Sequence, residues 1–353
     1  MIVRNNEGAF QCVYTSTILF VRLQLCLWSP FTLFISSIQF TSSARTRFYA
    51  LQTIFFTGNV LFFLLSGKFN LREKKDDAAV KKFYYNKIRN IVVPIVIFFF
   101  IRTLYDLYPD YSLGLVVKTF IKNFVYDYSH IEYWFMYTLV GFLLVAPFLS
   151  HAFARFSKFE KKLFVGIGLG YHLVLLIVSD AGYPLGWSYL FFGFSFTFFI
   201  GGLIEDLFET KKSRCGLALT SVLCLLATMV LFHFDKTGGL QDSSPFYTVL
   251  AIGIYIGLLQ LGEKMKPSRA VSFIAKHSFS IYLVHMMILI PLHSVIPVME
   301  GPISFLGFLG AFAIAFSLSL LLAFVLDKCV VDPAELLFDK LFKRLLEKRK
   351  NTV

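Results

Sequence analysis

"ISFLGFLGAFAIAFSLSLLLAFVL", residues 303–326, is a run of 24 residues without one charged side chain. An α-helix of about 20 apolar residues crosses the roughly 30 Å hydrocarbon core of a bilayer. Similar runs recur along the chain, which has 353 residues, of which 57% are hydrophobic and 16% charged, with a mean hydropathy of +0.68. Soluble domains carry about 25% charged residues. The sequence therefore predicts an all-α, polytopic integral membrane protein and argues against a soluble enzyme.

The apolar runs predict a bundle of about ten membrane-spanning helices. The connections between them alternate in Lys and Arg content, because one set carries 24 and the other set 5. Basic residues concentrate in cytoplasmic loops, so this alternation predicts that both termini are cytoplasmic. It also places the loop 106–131 outside, where residues 113–126 predict a short amphipathic helix at the interface. The predicted spans are 13–37, 49–69, 90–105, 132–150, 163–179, 187–205, 216–234, 246–262, 273–297 and 303–327.

The net charge of +12 follows from this topology, since most basic residues lie in the predicted cytoplasmic connections. We expect the basic tail 328–353 to extend the last helix along an anionic leaflet, and we expect no nucleic-acid partner. The five cysteines are scattered without a CxxC pair, which argues against a disulfide framework or a zinc site. We expect no bound metal or cofactor. The first 40 residues lack the cleavage site of a signal peptide, so no cleaved leader is expected.

Two groups of polar residues flank the most basic connection. Ser66, Gly67 and Lys68 end the second predicted span, whereas Lys87 and Arg89 open the third. Arg offers a planar fork of donors and Lys a compact charge, and both bind phosphate groups. These cations are therefore candidates for holding a phosphorylated ligand at the inner mouth of the bundle. Basic residues at cytoplasmic helix ends are also expected from membrane topology alone. The alternative that Lys87 and Arg89 bind no ligand therefore stays open.

Three further polar residues, Arg102, Glu132 and Trp134, lie toward the predicted outer side. An ionisable side chain inside a membrane is by default a candidate for function. The alternatives are that Glu132, at the start of a span, is solvated, and that Trp134 belongs to an interfacial aromatic belt.

The stretch "SFSIYLVHMMILI", residues 278–290, places an imidazole deep in an apolar run. Ser278, Tyr282 and His285 are spaced i, i+4 and i+7, so they form one stripe of a helix. Such a stripe must face the bundle or a wet cavity rather than lipid. Imidazole is the usual proton acceptor near neutral pH, so His285 is either a catalytic base or a helix-to-helix hydrogen-bonding group. His277 and His293, near the ends of this span, are weaker candidates.

Several stretches resemble, in the same order, the motifs of the membrane acyltransferase 3 family. "NVLFFLLSGKFNL" (59–71) is similar to its Ser-Gly stretch, and "FYYNKIRNIVVP" (83–94) to the basic segment that follows. "YWFMYTLVGFLLVAPFL" (133–149) resembles its aromatic span, and "FFGFSFTFFIGGLIE" (191–205) its helix rich in Phe and Gly. "HSFSIYLVHMMIL" (277–289) resembles its C-terminal motif. The ordered matches run from about residue 50 to residue 327.

The resemblance implies a multi-pass enzyme of the plasma membrane. Such enzymes move an acyl group, commonly acetyl, from acyl-coenzyme A to a hydroxyl of an envelope carbohydrate or lipid-linked glycan. The implied donor contacts are Lys87 and Arg89, with Lys68 beside them, and Ser66 and Gly67 match the family's Ser-Gly turn. The implied catalytic group is Ser280, Tyr282 and His285, with Trp134 on the aromatic span.

The resemblance also divides the chain into a divergent segment 1–48, an acyltransferase-like domain 49–327 and the basic tail 328–353. The family opens with an Arg, followed about ten residues later in the first span by a His that is usually taken as the catalytic base. Here that span offers Arg22 and Gln24, and no His precedes His130. The hypotheses are an N-terminal segment altered by a shifted frame or start, a catalytically impaired homologue, or a transporter or flippase that uses the same polar stripe. In the enzyme interpretation, His285 is the deep imidazole that replaces the missing base.

Overall fold

The computed structural model describes residues 57–74, 76–125, 133–183, 193–234, 244–264, 268–295 and 303–350, and all regular structure in these ranges is helical. The all-α prediction is confirmed for this part of the chain. The helices are α1 (57–70), α2 (Asp77–Lys87), α3 (Val93–Leu107), α4 (Leu113–Val125), α5 (Trp134–Ala154), α6 (Lys158–Asp180), α7 (Gly193–Gly201), α8 (Ile204–Leu207), α9 (Lys211–His233), α10 (Pro245–Lys264), α11 (Arg269–Val295), α12 (Ile303–Leu326) and α13 (Asp332–Lys350).

Six helices in these ranges are long and apolar enough to cross a membrane, which confirms a membrane-spanning helical protein. They are Asp77–Leu107, Trp134–Ala154, Lys158–Asp180, Lys211–Leu231, Arg269–Leu292 and Gly310–Leu345. A shorter apolar helix covers Pro245–Leu261. The total of about ten spans and the cytoplasmic termini stay predictions, since the span predicted at 13–37 lies outside the described residues. The short helix predicted at 113–126 is present as α4.

Contacts divide the chain into two compact units. The first contains Met1–Lys74 and Val145–Lys276, and the second contains Lys75–Leu144 and His277–Val353. Among the predicted site residues, Ser66, Gly67 and Lys68 belong to the first unit. The remaining described ones belong to the second unit, namely Lys87, Arg89, Arg102, Trp134, Ser280, Tyr282 and His285.

The first unit is built around a close crossing of α1 and α7. A Cβ atom added to Gly67 would lie 1.7 Å from the carbonyl oxygen of Phe198, and one added to Gly201 would lie 1.9 Å from that of Leu64. Only glycine lets two helix backbones approach this closely. Apolar side chains of α1, α7 and α10 pack around the crossing, including Val60, Phe196 and Tyr255. Gly67 is therefore a packing residue of this unit.

We expect Gly67→Ala to destabilise the first unit strongly, because its methyl group would meet backbone atoms that cannot rotate away. Overpacking of a core costs about 1–3 kcal/mol, so the thermal unfolding midpoint in detergent should fall clearly. Gly170→Ala is the matched control, since a Cβ at Gly170 has no neighbour within 4 Å. Equal midpoints for the two variants would contradict the close crossing.

Helices α2 and α6 begin at side-chain caps that are visible in the sequence. The carboxylate of Asp76 accepts a hydrogen bond of 2.6 Å from the backbone N–H of Ala79 at the start of α2. At the start of α6, Ser157 and Glu160 bond reciprocally to each other's backbone N–H groups. Such caps satisfy donors that the first helical turn leaves open.

The described part of the second unit contains two π-helical turns, Ile88–Val92 before α3 and Asp327–Val331 after α12. Each turn ends two residues before a proline, since Val93 lies between Val92 and Pro94, and Asp332 lies between Val331 and Pro333. A proline cannot donate to the carbonyl four residues earlier, and its ring crowds that group. In both turns the N–H of the preceding residue bonds five residues back instead, from Val93 to Ile88 and from Asp332 to Asp327. Helix α13 packs on the first turn and α3 on the second.

Candidate active site

His285 lies inside the second unit rather than toward lipid, with 2% of its surface exposed. Its Nδ1 is hydrogen-bonded to the backbone carbonyl of Tyr282, one turn earlier in α11. A carbonyl only accepts, so Nδ1 carries the proton and Nε2 keeps its lone pair. Within the described residues, Nε2 has no hydrogen-bond partner. This neutral tautomer is the form in which an imidazole accepts a proton.

Aromatic side chains form one wall beside this imidazole. The ring of Tyr282 lies 5.3 Å from that of His285, and the ring of Phe135 lies 5.4 Å from that of Tyr282. The hydroxyl of Tyr133 donates a 2.9 Å hydrogen bond to the carbonyl of Leu283. The start of α5 is therefore packed against the motif stretch of α11. Trp134, the first residue of α5, lies in the chain between Tyr133 and Phe135 and is half-buried.

Arg102 is a buried cation of α3, with 6% of its surface exposed. Its Nε lies 3.1 Å from the carboxylate of Asp106 one turn later, and its guanidinium stacks 5.6 Å from the ring centre of Tyr105. Arg102 belongs to the same compact unit as His285. A buried guanidinium is suited to stabilise negative charge that develops during a reaction.

Arg89 lies in the first π-helical turn and is paired with the tail helix α13. Its guanidinium is 3.1 Å from Glu335 and 2.9 Å from Asp339, and the hydroxyl of Tyr85 also bonds to Asp339. Lys87 lies nearby in sequence, with its ammonium 5.4 Å from the ring centre of Phe83. The predicted phosphate contact at Arg89 is thus already occupied by two carboxylates, which an incoming anion must displace.

The other predicted donor residues lie in the first unit. Lys68 is 7% exposed, and its ammonium lies 5.5 Å from the ring centre of Tyr255. The carbonyl of Ser66 accepts a 2.7 Å hydrogen bond from Asn70. Gly67 forms the helix crossing with Phe198. Glu132, predicted at the outer side, lies outside the described residues.

Sequence reasoning missed one buried acid, Asp327. One of its oxygens lies 2.5 Å from Nδ1 of His277, and the other accepts a 2.5 Å hydrogen bond from the hydroxyl of Ser280. The signal in the sequence was a lone carboxylate directly after the 24 uncharged residues of α12. Its partners are 50 and 47 positions away, which periodicity does not reveal. Ser280 is thereby fixed to Asp327.

A family model described as an acyltransferase domain matches residues 26–327. The chain belongs to the acyltransferase 3 family. The match covers most of the chain and begins inside the segment 1–48 that the sequence motifs set apart. No curated protein and no solved structure matches the chain. This acyltransferase 3 chain is therefore a multi-pass membrane protein whose family moves acyl groups to hydroxyls.

The described part of the acyltransferase 3 chain contains no group of three His, Cys, Asp or Glu side chains arranged to hold a metal ion. Among the predicted site residues, the imidazole of His285 can transfer a proton and the guanidinium of Arg102 can stabilise a negative charge. Both groups belong to the second unit, as do Arg89 and Asp327.

Proposed function

We propose that the chain transfers an acyl group, most simply acetyl, from acyl-coenzyme A to a hydroxyl of an envelope carbohydrate at the plasma membrane. The observation that carries this proposal is the tautomer of His285, a buried imidazole whose Nε2 lone pair is available. Membership of the acyltransferase 3 family supports the reaction class.

The reaction needs one base and one site for negative charge. Nε2 of His285 removes the proton of the acceptor hydroxyl while that oxygen attacks the thioester carbonyl carbon. The carbonyl oxygen becomes negative in the tetrahedral intermediate, and the guanidinium of Arg102 stabilises this charge. The C–S bond then breaks with its electron pair moving to sulfur, and the imidazolium returns the proton to the thiolate. The products are the ester and free coenzyme A.

We propose that Lys87 and Arg89 receive the phosphates of the donor. Because Arg89 is paired with Glu335 and Asp339, the donor competes with the tail helix for this guanidinium. Arg binds phosphate through two parallel hydrogen bonds, which allows a phosphate to replace a carboxylate there.

We expect Glu335→Gln and Asp339→Asn each to lower the apparent KM for the donor, because each removes a competing carboxylate from Arg89. A partly exposed ion pair is worth roughly 0.2–1 kcal/mol, so the decrease should be about 1.5- to 5-fold for each substitution. Asp332→Asn is the matched control, since Asp332 pairs with Lys328, 2.6 Å away, and not with Arg89. An unchanged or higher KM in both variants would exclude phosphate binding at Arg89.

The proposed function is tested in cells by comparing envelope polymers with and without the chain. Mild alkali releases ester-linked acids, which chromatography identifies. We expect acetate or another short acid to be released only when the chain is present. Solute uptake without any released acid would favour a transporter or flippase, whereas the absence of both would favour an impaired homologue.

A further inference from the structure

Asp327 is a buried carboxylate, 9% exposed, at the first position of the second π-helical turn. His277 and Ser280, its two hydrogen-bonding partners, lie on α11 and are also buried. The ring of Phe324 closes the cluster at 5.4 Å from the ring of His277. One carboxylate thus joins α11 to the end of α12.

Both hydrogen bonds have a fixed direction. A carboxylate only accepts, so the hydroxyl of Ser280 and Nδ1–H of His277 are the donors. Burying a carboxylate without such partners is strongly unfavourable. The burial of Asp327 therefore depends on its hydrogen bonds with His277 and Ser280 of α11.

The two partners are three residues apart and lie on one face of α11. Tyr282 and His285 follow Ser280 by two and five residues. Successive residues of a helix are separated by a fixed angle of about 100°, so all side chains of α11 turn together when the helix rotates. A rotation that moves His277 and Ser280 therefore also turns the His285 ring away from its present direction. π-Helical turns occur frequently at functional sites, and here such a turn supplies the carboxylate.

We propose that Asp327 is a positioning residue that holds His277 and Ser280 and thereby fixes the rotation of α11 that presents His285. This inference rests on the proposed acyl transfer at His285. Asp327 itself takes no part in bond making or proton transfer.

Asp327→Asn and Asp327→Glu separate position from charge. Asparagine has the same size, so its oxygen still accepts from Ser280 and its N–H₂ donates to His277, which then carries its proton on Nε2. Glutamate keeps the charge but is one methylene longer, which displaces both contacts. Because a misplacement of about 1 Å costs up to roughly 10²-fold in rate, we expect Asp327→Glu to lower kcat at least tenfold. Asp327→Asn should keep kcat within about threefold of the unmodified chain.

The assay uses the full chain in nanodiscs with radiolabelled acetyl-coenzyme A, and the KM for the donor should stay unchanged in both variants. Asp332→Asn, which removes an acid in an exposed ion pair of the same region, is the control. The inference is overturned if Asp327→Glu is as active as Asp327→Asn or more active, since the position of this group would then not limit the reaction.

A second measurement does not depend on activity. Nitrogen NMR of ¹⁵N-histidine-labelled chain should show Nδ1–H tautomers for His277 and His285. Asp327→Asn should change only the His277 signal, whereas Asp327→Glu should also shift that of His285. If these shifts occur but the unmodified chain transfers no acyl group, the proposed function fails and the positioning contact stands. If transfer occurs and the His285 signal is the same in all variants, the positioning role fails.

Discussion

His285→Gln should lower kcat for acyl transfer about 10²–10⁴-fold, which is the usual contribution of a positioned general base. Glutamine fills similar space and can still donate to the carbonyl of Tyr282, but it offers no basic nitrogen where Nε2 of His285 lies. Loss of the base affects the transition state and not donor binding, so kcat and kcat/KM should fall together while KM for the donor stays constant.

The measurement is a steady-state assay of purified chain in nanodiscs, with thermal unfolding followed in parallel. His151→Gln is the matched control, because His151 is largely exposed and pairs only loosely with Glu73, at 3.8 Å. A His285→Gln chain that is fully active would leave helix packing as the role of this imidazole. A much lower unfolding temperature of the His285→Gln chain would likewise indicate that this imidazole serves helix packing.

Arg102→Ala should reduce kcat about 10²–10³-fold, the typical cost of removing one group that stabilises a developing oxyanion. The guanidinium is buried, and charge in such surroundings is screened less than in water. Arg102→Lys keeps the charge but loses the planar fork. We therefore expect it to restore part of the activity and to lie between the alanine variant and the unmodified chain.

Two controls separate charge stabilisation from stability. Arg155→Ala changes the same residue type at an exposed position and should leave kcat unaltered. Asp106→Asn removes the partner of Arg102, 3.1 Å away, without removing the guanidinium, so it should retain most activity. If Asp106→Asn is as inactive as Arg102→Ala, the ion pair is needed for folding and the assignment to the oxyanion is wrong.

Much of the fold could be predicted from local sequence, because helix formation in a membrane depends on runs of apolar residues. The stretch 303–326 and the apolar run around His285 are both helical. The prolines at 94 and 333 were visible in the sequence, but the π-helical turns beside them depend on how each helix accommodates a missing N–H.

The site was only partly predictable, because its contacts join residues far apart in the chain. The stripe containing His285 followed from helical periodicity. In contrast, the carboxylates of Glu335 and Asp339 reach Arg89 from about 250 positions away. Asp327 reaches His277 and Ser280 from a turn that no local pattern singles out. Gly67 looked like part of a binding turn, and only the approach of the Phe198 carbonyl shows its packing role.

The most direct test of the account is single-turnover transfer from radiolabelled acetyl-coenzyme A by the purified chain in nanodiscs, with an extract of envelope glycans as acceptor. We expect label to appear on carbohydrate in a form that mild alkali releases. The same label should be almost absent with His285→Gln and fully present with His151→Gln. Label that appears equally with and without the imidazole of His285, or that never leaves coenzyme A with the unmodified chain, would contradict the account.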